Sequence, residues 1–210
     1  MITLAAVSLW CGVLAGPFFI AVFLIEGILR PDYQPMRQPV SALAIGSRGW
    51  IQRVNFFITG LLALAYAPGL RGALAPYGNP WWPPLLVVIF GLGLIGAGFF
   101  VTDITGLEWP SRARRTRDGI LHDQASFPVF VALTAASVIF GRLFADAGDF
   151  GWAVYSVASG IAVVTFFVLA GLGFAFKLNL NGVGGLMQRL SIVGGWMWLS
   201  LVAAHLMALI

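Results

Sequence analysis

The chain has 210 residues, 60% of them hydrophobic and 10% charged, with a net charge of +4 and a mean hydropathy of +0.92. A soluble domain carries about 25% charged residues, so this composition excludes a water-covered globular fold and makes lipid the solvent for most of the chain. A bilayer core needs about 20 apolar residues per helix, which predicts an all-α bundle of six transmembrane helices forming one domain over residues 1–210.

The first span is expected over residues 3–29. It lacks a positive n-region, and its apolar run is too long for an h-region, so it reads as a retained span and not a signal peptide. Gly12 and Gly16 form a G-x-x-x-G pair that permits close helix approach, and Pro17 predicts a kink. Cys11 is the single cysteine, which rules out an intrachain disulfide. Glu26 stands four residues before Arg30, the spacing of a helical ion pair. The alternative for Glu26 is a carboxylate facing a cavity.

In loop 30–52, Pro31, Pro35 and Pro39 forbid a long helix. Ser41 to Ile45 is expected as a short helix ended by Gly46, with Trp50 as an interface anchor. Span two is expected over 53–74, with Arg53 and Asn55 at its mouth and Pro68-Gly69 bending or fraying its far end. Trp81 and Trp82 fall where an aromatic belt belongs. Span three, 83–103, contains GLGLIGAG. That string matches a dinucleotide fingerprint, but the fingerprint requires a preceding strand and a water-exposed pocket. Within a span the glycines serve helix packing.

Residues 99–124 concentrate the titratable groups: Asp103, Glu108, Arg112, Arg114, Arg115, Arg117, Asp118, His122 and Asp123. Span four is expected over 120–141, span five over 151–176 and span six over 186–209, with His205 near the end of the last. Basic residues fall almost entirely beside alternate loops. Arg30, Arg37, Arg48 and Arg53 flank the first, Arg112, Arg114, Arg115 and Arg117 the third, and Lys177 and Arg189 the fifth. Arg71 and Arg142 alone lie beside the others. The positive-inside rule then places loops 30–52, 104–119 and 177–185 in the cytoplasm and both termini on the non-cytoplasmic side.

This topology gathers Glu26, Arg53, Asp103, His122, Asp123, Gln188 and Arg189 at one membrane face. Three readings fit such a cluster. The groups pair with one another for structural reasons, as intramembrane ionisable groups must. Alternatively they form a binding site for a lipid head group or amphipathic small molecule, with the arginines recognising an anion. A third reading makes Asp103, His122 and Asp123 ligands of a divalent metal, and so catalytic candidates in a membrane hydrolase acting on a lipid. No cofactor is expected under the first two. Arg112, Arg114, Arg115 and Arg117 are expected to touch anionic phospholipid. A proton-coupled transporter is disfavoured, because transporters place their sites near the midplane. His205 falls on the opposite side from His122, so the two cannot share one ligand. Ser41 and Ser126 lack the G-x-S-x-G context of a nucleophile. The basic residues sit beside spans, so membrane lipids are the expected partners, possible membership of a larger membrane assembly stays open, and no nucleic acid is expected.

Several short motifs carry a resemblance. They are Pro39-x-Ser41-x-Leu43-x-x-Gly46 with Gly49-Trp50, Phe100-x-Thr102-Asp103, Gly119-x-x-His122-Asp123, and Gly185-x-x-Gln188-Arg189. Together they resemble the bacterial membrane proteins grouped as domain of unknown function 998. The resemblance implies a six-helix bundle in the bacterial cytoplasmic (inner) membrane, and it implies no activity.

Overall fold

A computed structural model describes residues 3–103 and 115–209. Six helices follow one another: α1 (Leu4–Ile28), α2 (Gly49–Ala73), α3 (Trp82–Phe99), α4 (Arg117–Asp146), α5 (Phe150–Phe174) and α6 (Gly184–Ala208). All six are long and apolar enough to cross a membrane, and no strand occurs among the described residues. Each helix packs against the next, and α6 closes back onto α1. The result is a ring of antiparallel neighbours, flattened because α6 also touches α2 and α4 across it.

Helix α6 carries the core. Trp196 turns inward and meets Phe19 of α1, Phe90 of α3 and Phe130 of α4, with ring centroids 5.6, 5.0 and 5.6 Å away. Trp198 points the other way, against Phe140 at 5.7 Å, and donates its indole N–H to Ser156 at 3.0 Å. The expected G-x-x-x-G pair is where α6 meets α1. The Ser200 hydroxyl donates to the Gly12 carbonyl at 2.9 Å and accepts from the Gly16 amide at 3.0 Å. A side chain at Gly16 would strike the Trp196 carbonyl. The glycines of α3 serve packing on two sides: Gly91 lies against Gly60 of α2, and Gly93 and Gly96 against Ala125 and Val129 of α4.

Proline shapes the spans without ending them. Helix α2 continues through Pro68 to Ala73, so its far end does not fray. Ser8 of α1 bridges the pair next to the proline: its hydroxyl accepts from the Gly69 amide at 2.7 Å and donates to the Ala65 carbonyl at 2.5 Å. Other boundaries differ from expectation, and α2 begins at Gly49, four residues before its expected start. Helix α3 stops at Phe99, four residues early, and Phe100 is extended. Helix α4 starts at Arg117 and continues to Asp146, five residues beyond the expected end.

Valine at Gly16 should cost about 1–3 kcal/mol through overpacking, read as a lower melting temperature of the purified protein. Gly72 has open space around it, so Gly72→Ala should hold or raise that temperature through helix propensity.

Candidate functional site

One end of the ring is built from the C-termini of α1, α3 and α5, the N-termini of α2, α4 and α6, and the first loop. All four motif groups fall here, and they touch one another. The loop carries a 3-10 helix, Val40–Ala44, close to the segment expected to be helical. Gly46 ends it with φ of +82°, a left-handed conformation that suits glycine.

The loop is fastened from two sides. On the α1 side, the buried Glu26 carboxylate pairs with Arg30 at 3.0 Å and Arg48 at 2.7 Å. Arg30 also donates to the Ile45 carbonyl at 2.8 Å. Arg48 lies outside the span, and its hydrogen bond to Glu26 raises its pKa further, so it stays charged. On the α6 side, the Arg189 guanidinium donates to the carbonyls of Pro35, Gln38 and Gly185, the last two at 3.1 and 2.9 Å. It also donates to the Tyr33 hydroxyl, which in turn donates to the Pro39 carbonyl at 2.9 Å. Burial pushes the Tyr33 phenol up, which keeps that proton in place. The Gln188 Oε1 accepts from the Val40 amide at 2.7 Å, and the Met36 carbonyl accepts from the Leu186 amide at 3.1 Å. A side chain at Gly185 would strike the loop backbone. The Gly185-x-x-Gln188-Arg189 motif is thus a cradle for the proline-rich loop.

The second half of the expected cluster links α3 to α4. Asp103 accepts from the Thr116 amide at 3.0 Å and the Thr116 hydroxyl at 2.7 Å. Thr116 itself caps α4, accepting from the Gly119 amide at 2.9 Å. The carboxylate packs on the bare face of Gly119, near the positive end of the helix dipole. His122 is buried, and its Nδ1 lies 3.1 Å from the Ala97 carbonyl and 2.9 Å from that of Phe100. This imidazole closes the end of α3 and accounts for its early stop. Arg53 donates to the Gly98 carbonyl at 3.0 Å from the other side. Asp123 is exposed and pairs with Arg115. Arg117 opens α4 and is exposed. Arg112 and Arg114 lie outside the described residues.

The predicted groups therefore separate. Glu26, Arg53, Asp103 and Arg189 hold backbone segments or partner side chains in place. His122, Asp123 and Gln188 line a common cavity of about 370 Å³. Every helix contributes to it: Phe19, Phe56, Leu94, Phe130, Phe167 and Trp196 stand for α1 to α6 in its apolar wall, and Val40 and Ser41 roof it. Its polar groups are Ser41, Thr102, His122, Asp123, Ser126 and Gln188, all towards the loop end. The lining residues exposed at its edge are Asp123 and Phe127 of α4 and Gly171 of α5, so the cavity opens sideways between those helices. The aromatic wall was not legible as a site, because Phe and Trp on a span are equally suited to face lipid.

Among the described residues, no group of three His, Cys, Asp or Glu side chains could hold a metal. Asp103 and His122 are instead each committed to a different helix end. His205 lies at the opposite end of the ring, 3.1 Å from Asp149 and stacked on Trp152 at 4.3 Å.

The family described as protein of unknown function (DUF998) matches residues 13–205. No curated protein and no solved structure matches the chain.

Lysine in place of Arg189 keeps the charge but loses the planar fork. Arg189→Lys should cost about 1–3 kcal/mol through carbonyls left unpaired. It should also speed amide hydrogen exchange across residues 33–45, read by mass spectrometry.

Proposed function

The chain belongs to the DUF998 family, and on that premise we propose that it binds a single-chain amphiphile, with the polar end of the ligand under the first loop and its apolar part among the helices. The observation that carries this reading is the cavity's gradient. Polar side chains gather at the loop end, and the remainder of the wall is aromatic and aliphatic. Ligand sites are mostly apolar with a few placed polar groups, and occupy about 300–1,000 Å³. A void of about 150 Å³ takes a benzene molecule. The volume of about 370 Å³ therefore suits one chain or a small ring system, and is too small for a whole two-chain lipid. The lateral opening between α4 and α5 offers such a molecule a route from the bilayer.

No described arginine or lysine lines the cavity. Arg53 and Arg189 fasten backbone, and Arg48 and Arg115 pair with carboxylates, so the reading proposed here does not rest on anion recognition by this cluster. We place the cavity end at the cytoplasmic side of a bacterial inner membrane, on the strength of the basic residues around it.

Two experiments test these statements. Gly171 borders the opening and has open space where a side chain would start. Gly171→Phe and, facing it, Ser126→Phe should each weaken saturable binding of a tritiated ten-carbon alcohol to the protein in nanodiscs by about tenfold or more. Absence of saturable binding in the unmodified protein would remove the reading. For orientation, Ser47 and Ala147 are exposed at opposite ends of the bundle. In a Cys11→Ser background, a cysteine at position 147 should react with an impermeant maleimide on intact spheroplasts, and one at position 47 only after lysis.

A further inference from the structure

We propose that His122 accepts a hydrogen bond from the ligand through Nε2, so that the cavity takes an uncharged single-chain alcohol in preference to a carboxylate or a phosphate ester. The inference rests on the amphiphile-binding reading and names the head group. It begins with the other ring nitrogen. Nδ1 lies within hydrogen-bond distance of two carbonyl oxygens, those of Ala97 and Phe100. Carbonyl oxygens only accept, so Nδ1 carries the proton. In a neutral imidazole the second nitrogen is then an acceptor. His122 is 3% exposed, and its ring lines the cavity. Its two hydrogen bonds both run from Nδ1 to the end of α3, which leaves the lone pair of Nε2 to whatever the cavity holds.

The surroundings select the donor. No described arginine or lysine lines the cavity, and the Asp123 carboxylate at its edge is already paired with Arg115, so the lining offers an anionic head no cationic partner. The Gln188 Oε1 is occupied by the Val40 amide, so its amide NH₂ remains available as a donor. The Ser41 and Ser126 hydroxyls line the same end. A ligand hydroxyl matches this set from both sides: its hydrogen goes to Nε2 of His122, and its oxygen accepts from the Gln188 amide or a serine. An ether of the same length offers no hydrogen, and a carboxylate offers no hydrogen and brings the wrong charge.

The test uses the full chain in nanodiscs of zwitterionic lipid with three probes of equal chain length: 1-decanol, 1-methoxydecane and decanoate. Calorimetry should show 1-decanol binding at least about tenfold more tightly than either of the others. His122→Asn keeps an amide N–H near the position of Nδ1, to hold Ala97 and Phe100, and removes Nε2. It should erase the difference between alcohol and ether. Should that variant fail to fold, ¹⁵N spectra of the imidazole in the unmodified protein decide the matter. A protonated Nδ1 and an unprotonated Nε2 that shifts on adding 1-decanol support the proposal, and a protonated Nε2 overturns it. Equal binding of alcohol and ether, or tighter binding of decanoate, also overturns it. If the alcohol and the ether bind equally and both are displaced by Gly171→Phe, the cavity reading stands and the head-group assignment alone falls. If no probe binds saturably, both fall.

Discussion

The Arg189 guanidinium is the contact on which the site depends. A proline-rich loop cannot satisfy its own carbonyls by forming a helix, and at a membrane face water cannot be relied on to do so. Three of those carbonyl connections come from this one side chain, two in the loop and one in its own helix. Its planar fork of five donors suits the task better than an ammonium. The Tyr33 ring lies 5.3 Å from the guanidinium carbon, which adds a cation–π contact and completes the enclosure. With the loop held, Val40 and Ser41 become a roof over the ring. Without it, the cavity would be an open bowl facing the interface.

Glu26 plays the matching part on the other edge of the loop. Its burial would be costly alone, since an isolated buried carboxylate loses its hydration. Two arginines and a bonded carbonyl beside them resolve that cost. The two pins differ in kind: one is an ion-pair junction between α1 and the loop, the other a cation neutralised only by peptide dipoles and a phenol. At the lateral opening the charged group is Asp123, which is paired with Arg115.

Much of the architecture was legible in the sequence. Six apolar segments interrupted by basic loops indicated the helix count, and the clustering of polar residues at alternate span ends brought Glu26, Arg53, Asp103, His122 and Arg189 to one end of the bundle. Gly12 and Gly16 marked a close helix contact by their spacing, though not that α6 is the partner. The partnerships were not legible. Asp103 sits at one membrane face with Arg53 and Arg189, either of which suits an ion pair, yet the two arginines bind backbone and Asp103 binds Thr116, a choice set by where these segments lie in three dimensions. His122 looked like a metal or catalytic candidate beside Asp123. Successive residues on a helix point about 100° apart, so one turned into the ring and the other outward. The early end of α3 had no sequence marker, because the group that ends it comes from α4.

The cavity itself follows from how residue size is distributed along α4 and α5. At their far end, Gly141 sits against Val157 and Ala153, and Gly160 against Ser137, so the two backbones approach closely. Nearer the loop, Phe127, Phe130, Phe167 and Phe174 occupy the same pair of helices. Phe130 and Phe167 stack at 4.2 Å, so rings fill the contact there where small residues meet at the far end. Gly171, with no side chain of its own, has open space beside it at the cavity's edge. A membrane bundle gains little from hydrophobic burial between helices, since lipid tails are as apolar as its own side chains. An opening between two helices therefore carries a small cost, because lipid chains can solvate the exposed faces. The same freedom that makes this opening cheap to maintain makes it accessible from the bilayer.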